Sequence, residues 1–143
     1  MLVGSVGADD SKLEGTWDVT LRFPASSCNN ACNYPVGQPN IPLPTLNTFL
    51  KDGGMLWSGT ALVGGPGQGG WERLGHDQFM ARFKFFIFDL ATGRRTGTSE
   101  LTKNMRLTGP DTFEATTTYD LFDAAGSMTA QGCIINETAT RFE

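Results

Sequence analysis

The sequence predicts an all-β protein, a single closed antiparallel β-barrel of about eight strands. Three observations predict it. Apolar residues recur at every second position in several segments, the period of a strand with one buried face, and no segment carries a helical repeat. Eighteen glycines and seven prolines punctuate the chain at short intervals, as tight turns between antiparallel neighbours require. A meander of that many strands leaves two open edges, and closing the sheet on itself removes them best, with a two-sheet sandwich as the alternative.

The first strand is set by Trp17, Val19, Leu21 and Phe23 alternating with Asp18, Thr20 and Arg22, and Pro24 ends it. Residues 1–14 ahead of it read as a flexible lead-in, and the barrel domain as 15–143. Ala25 to Pro44 is rich in Pro, Asn, Ser and Cys and reads as a long loop, of a length that often covers a binding site. Thr45 to Leu50 is a second strand. Asp52-Gly53-Gly54 turns it into a third, Met55 to Val63, with Met55, Trp57, Gly59 and Ala61 on one face. Gly64 to Gly70 reads as a glycine-rich connector. It is no phosphate loop, because no Gly-Lys-Ser/Thr and no helix follow it.

Trp71 to Leu74 is a brief strand. Gln78 to Asp89 is the most apolar segment, with Phe79, Ala81, Phe83, Phe85 and Ile87 on one face and Arg82 and Lys84 on the other. Ala91-Thr92-Gly93-Arg94 turns the chain into Thr96 to Thr108. Gly109-Pro110-Asp111 turns it into Thr112 to Phe122, rich in Thr and aromatics. Asp123 to Gly126 turns it into the last strand, Ser127 to Phe142.

Composition bounds the function. The 143 residues suffice for one domain with a real core, and 39% hydrophobic with 18% charged residues excludes a disordered chain or a coiled coil. A formal charge of -4 argues against a nucleic-acid partner, which needs a basic face. No apolar run is long enough for a membrane span. Met1 to Gly7 is too short and uncharged to be an intact signal peptide. Ten Phe against two Tyr and three Trp predict a dry, aromatic interior. Cys28, Cys32 and Cys133 allow one disulfide plus one free thiol, a loop-closing Cys28–Cys32 bond being one candidate, or three free thiols. A zinc site lacks ligands, since His76 is the only histidine. Asn136-Glu137-Thr138 is a formal glycosylation sequon. No motif implies a cofactor, and nothing sets a compartment or an oligomeric state.

Gly15-Thr16-Trp17 opens the first strand and Arg141 lies near the end of the last. This pattern resembles the calycins, the lipocalin-like barrels, in which a Gly-x-Trp of the first strand packs against a basic residue of the final strand. The resemblance implies a Trp17 that closes one barrel end with Arg141 stacked across it. No helical pattern precedes the last strand, so the likeness is to a shorter lipocalin-like barrel. Haem-binding barrels of similar size use a histidine ligand, and His76, beside a glycine in a turn, is poorly placed for that.

Candidate site residues follow from the alternation. If Leu101, Met105 and Leu107 face inward, Lys103 does too, where it needs a partner and is able to hold a ligand group or move a proton. A β-bulge that returns Lys103 to solvent, or a position near the barrel rim, is the commoner outcome and the expectation here. Tyr119 shares its face with Phe113, Ala115, Thr117 and Leu121 and offers a hydroxyl either to a ligand or to a neighbouring strand. Trp57 and Trp71 are placed at the cavity mouth or in the core. His76 is a proton-transfer candidate, though a lone turn histidine is usually just solvated. Phe79, Phe83, Phe85 and Met105 supply an apolar wall, expected to face Thr117, Tyr119 and Leu121 across the interior, with Ala81 and Ala115 leaving room. Asp18, Glu100, Glu114 and Asp120 fall on outer faces, so no carboxylate pair supports glycosidase chemistry. One histidine and no Gly-x-Ser-x-Gly leave little scope for a hydrolase triad.

Two functions fit. The first is binding of a small hydrophobic molecule inside the barrel, held chiefly by burial. The second is a cofactor-free isomerase, cyclase or lyase acting on a hydrophobic metabolite, with Tyr119, Lys103 and His76 as its polar groups.

Overall fold

The computed structural model describes residues 12–24, 41–59 and 66–143. Eight strands follow one another: β1 (Gly15–Arg22), β2 (Leu43–Phe49), β3 (Gly54–Ser58), β4 (Gly67–Arg73), β5 (Gln78–Phe88), β6 (Arg95–Gly109), β7 (Thr112–Asp123) and β8 (Met128–Arg141). Each pairs antiparallel with the next, and β8 returns to β1, closing the barrel. The expected architecture is therefore the observed one. Charged side chains such as Arg82, Lys84, Glu100, Arg106 and Glu114 stand on the outer wall, and no helix among the described residues is long and apolar enough to cross a membrane.

Short turns set the registers. Gly53 has φ 96° and its amide closes a turn onto the Leu50 carbonyl, a conformation that an L side chain rarely adopts. Asp123 Oδ1 accepts from the Ala125 and Ser127 amides, so one carboxylate shapes the β7–β8 turn.

Several boundaries differ from the sequence reading. Leu43 and Pro44 belong to β2, because a proline is tolerated at the start of a strand. β3 ends at Ser58, and the expected continuation through Val63 falls at residues 60–65, outside the described residues. The larger correction is β4, which begins at Gly67, inside the supposed connector. Its glycines permit a close approach of strands. A Cβ at Gly69 would stand 1.9 Å from the Arg82 carbonyl oxygen, and one at Gly67 would meet Trp57 Cβ at 3.2 Å. The loop expected over Ala25 to Pro44 falls mostly at residues 25–40, outside the described residues, and its last two residues belong to β2. Cys28 and Cys32 lie outside the described residues too, but Cys133 is disulfide-bonded, and in a chain of three cysteines this corrects the expected Cys28–Cys32 bond, since one of those two must be the partner of Cys133.

One barrel end is closed by a packed aromatic group. Trp17 is fully buried, its ring 4.9 Å from that of Phe113, and its indole N–H donates to the Leu13 carbonyl at 2.9 Å. The Arg141 guanidinium lies 4.2 Å over the Trp17 ring and donates to the Glu14 and Lys12 carbonyls. Gly15, at φ 117°, leaves room for the chain end: a Cβ there would sit 2.5 Å from the Glu143 carbonyl oxygen. Residues 12–14 thus lie across this end, with Leu13 fully buried. Phe49, Phe79 and the half-buried Trp71 extend the cluster. At about 1.5–3 kcal/mol per buried large apolar side chain, this end is a major source of stability.

Phe distribution corrects the picture of a dry aromatic interior. Six of the ten are buried, but Phe86, Phe88 and Phe142 are exposed on the outside. The interior instead holds Thr45, Asn47, Ser99, Lys103, Thr117 and Glu137, all buried.

Candidate functional site

A polar layer crosses the middle of the barrel. It is built by inward positions of four strands: Thr45 and Asn47 on β2, Lys103 on β6, Thr117 on β7 and Glu137 on β8. Alternation places each of them. On β2 Asn47 shares phase with Phe49, on β6 Lys103 lies between Leu101 and Met105, and on β8 Glu137 lies between Ile135 and Ala139. Lys103 pairs laterally with Ala81 and Thr117, so a small side chain and a hydroxyl flank its long stem.

The lysine does not return to solvent. Its side chain is 0% exposed, and the register shifts of β6 lie elsewhere, against Ile87 and Phe88 at one end and at Leu107 and Gly109 at the other. Its ammonium has what burial requires. Nζ donates to Asn47 Oδ1 at 2.5 Å and lies 2.6 Å from Glu137 Oε1. The Phe83 ring centroid is 5.6 Å away. Thr117 Oγ1 donates to Glu137 Oε2 at 2.6 Å and fixes the carboxylate. Glu137 Oε1 has the ammonium as its ion-pair partner, whereas Asn47 Nδ2 and Thr45 Oγ1 have no hydrogen-bond partner among the described residues, although both are buried. Such orphaned groups are uncommon in protein interiors.

Aromatic walls flank the layer. Phe85 stacks on Trp57 with centroids 4.6 Å apart and planes 7° from parallel, and Phe83 lies 6.1 Å from the same indole. Trp57 also lies across Gly59, where a Cβ would overlap its ring. Tyr119 is buried and meets Phe23 edge-on at 6.0 Å. Leu121 is half-buried beside Ser99 in the register. Phe79 and Met105 belong to the Trp17 side of the layer, with Trp71.

The sequence-derived residues thus divide. Lys103 and Thr117 meet in the polar layer, and Phe83 borders it. Trp57, Phe85, Tyr119 and Leu121 line the interior on one side of it, and Phe79, Met105 and Trp71 on the other. His76 joins neither. It sits in the β4–β5 turn with its side chain 77% exposed, 3.7 Å from Asp77. The expected facing of the β5 and β7 walls is also corrected, since the meander puts both strands beside β6 on one wall. Three members of the layer, Thr45, Asn47 and Glu137, were not read from the sequence.

A concavity of about 570 Å³ opens on the outer wall, lined by Arg22, Asn104, Arg106 and Glu114, and it also reaches Glu137, Phe79, Met105 and Ala115. Arg106 pairs with Glu114 there, both half exposed. Solvated groups of this kind stabilise little and converge on nothing, so the interior layer is the stronger candidate. Among the described residues no group of three His, Cys, Asp or Glu side chains is placed to hold a metal ion. Comparison of the sequence with known protein families and with curated proteins finds no match to either.

Proposed function

We propose that the barrel binds a small, mainly apolar molecule in its interior, with one end of that molecule against the polar layer. The observation that carries this reading is the set of buried polar atoms without partners, Asn47 Nδ2 and Thr45 Oγ1 above all. Leaving a buried donor unpaired costs about 1–3 kcal/mol, a cost that a ligand group removes on binding. The aromatic wall of Trp57, Phe83 and Phe85 supports the apolar part of the reading, and an eight-stranded barrel is of the width that holds one small ligand.

Binding of an uncharged fluorescent apolar probe tests it. The expected result is stoichiometric, displaceable binding that weakens at least tenfold in Ala81→Phe or Ala115→Phe, which fill inward positions. A folded protein that takes up no probe ends the reading.

A second reading is a cofactor-free isomerase, cyclase or lyase, favoured by one observation: an amine and a carboxylate stand 2.6 Å apart in a site closed to water. Such a pair is able to hand a proton to and from a substrate held in a reactive shape. Turnover of a bound hydrophobic substrate, lost in Glu137→Gln with binding retained, separates an enzyme from a carrier.

A further inference from the structure

We infer that the ligand carries an uncharged oxygen, a carbonyl or a hydroxyl, and is neither a fatty acid nor an amine. The inference rests on the binding reading above and names the chemistry of the ligand.

Charge comes first. The buried polar residues are Thr45, Asn47, Ser99, Lys103, Thr117 and Glu137, so the interior among the described residues holds one cation and one anion. Those two pair with each other. No charge is left to receive a carboxylate, although a lone interior lysine suggests one. A carboxylate set against this layer would be a third, uncompensated buried charge, and an ammonium would be the same with opposite sign.

Hydrogen-bond polarity comes second. An ammonium has only donors, so the atom of Asn47 facing Lys103 must be its oxygen. That fixes the amide and turns its two N–H groups away from the lysine, with no partner. Thr117 has already spent its proton on Glu137. The free capacity of the layer is then the Asn47 amide N–H groups and the Thr45 hydroxyl, a donor-rich pair two residues apart on the same face of β2. A neutral oxygen with lone pairs satisfies both. A plain hydrocarbon satisfies neither.

Three ligands of equal chain length, a methyl ketone, a fatty acid held above its ionisation range and an alkane, are titrated against the whole protein loaded with N-phenyl-1-naphthylamine. The ketone is expected to displace the probe at a concentration at least about tenfold below that of either competitor. Glu137→Gln, which leaves the lysine charge uncancelled, is expected to shift the preference toward the carboxylate by tenfold or more. Probe binding with all three displacing alike, or with the carboxylate ahead in the unaltered protein, overturns this inference and leaves the binding reading standing. So does a Glu137→Gln protein with native circular dichroism and an unchanged preference. If that variant does not fold, the comparison in the unaltered protein decides alone. No probe binding at all removes the binding reading and this inference together.

Discussion

Lys103 and Asn47 meet at 2.5 Å from β6 and β2, strands that stand opposite each other in the closed order of eight. A contact between opposite walls means that the barrel is spanned at this level by side chains, and that the polar layer ties the two walls together. The same contact orients the amide and so decides which of its atoms is left over. The fold at this level and the proposed recognition rest on one geometry.

Removing one member of the buried ion pair should therefore be worse than removing both. Lys103→Met leaves the Glu137 carboxylate without its cation, and Glu137→Gln leaves the ammonium without its anion; each should cost roughly 3–5 kcal/mol. The double variant should cost less than the sum of the two, with a coupling of at least about 1 kcal/mol. Urea midpoints of the three variants give the cycle. Additive losses would mean that the two groups do not interact in solution.

At the closed end, Trp17→Ala should cost about 3 kcal/mol or more, the range for truncating a buried aromatic. Arg141→Ala should cost about 2 kcal/mol. It loses the stacking on Trp17 and also the hydrogen bonds to the Lys12 and Glu14 carbonyls, which hold residues 12–14 over the end. Arg141→Lys should recover less than half of that, because an ammonium cannot stack flat and donate to two carbonyls at once. A lysine variant as stable as the parent would show that charge alone matters at this position.

How far the sequence carried this picture depends on the strand. β5 and β7 alternate cleanly, so their inward faces were legible from Phe79, Phe83 and Phe85 and from Phe113, Thr117 and Tyr119. β8 hid Glu137 behind an irregularity. Ala130 and Cys133 both face inward although three residues apart, because Gly132 takes φ 66° and its amide donates to Asp120 Oδ1, shifting the register. Counting back from Ala139 instead of forward from Met128 puts Glu137 inside. The demand of an inward lysine for an acidic partner points the same way. β4 was misread because Gly-Gln-Gly-Gly has no strand propensity, and only the close approach to Arg82 and Phe83 explains it. Asn47 gave no signal beyond its phase with Phe49.

That close approach is itself testable. Gly69→Ala places a methyl group against the Arg82 carbonyl and Phe83 Cα, which are backbone atoms unable to swing aside. The expected loss is about 2–3 kcal/mol, the upper part of the range for overpacking. Gly126→Ala is the control. There φ is 89° and nothing lies within 4 Å of the added Cβ, so only left-handed strain of about 1 kcal/mol applies. Thermal midpoints that rank the two variants in the opposite order would show that β4 does not sit this close to β5.

The last prediction sets stability against recognition at one atom. Thr45 Oγ1 is buried and has no hydrogen-bond partner among the described residues, while the rest of the side chain packs inside β2. Thr45→Val keeps the branched shape and replaces the hydroxyl by a methyl group, so little repacking is needed. If the hydroxyl is unpaired in the free protein, its removal relieves a desolvation cost, and stability should rise by about 1 kcal/mol. The same change takes away one of the two groups offered to a ligand oxygen, so binding of a methyl ketone should weaken about threefold to tenfold while the alkane is unaffected. Interior polar groups retained at a cost to stability are a mark of functional sites. Urea denaturation and probe displacement on the same preparation read both effects. A Thr45→Val protein that is less stable than the parent, and binds the ketone as well, would show that the hydroxyl serves the fold and not a ligand.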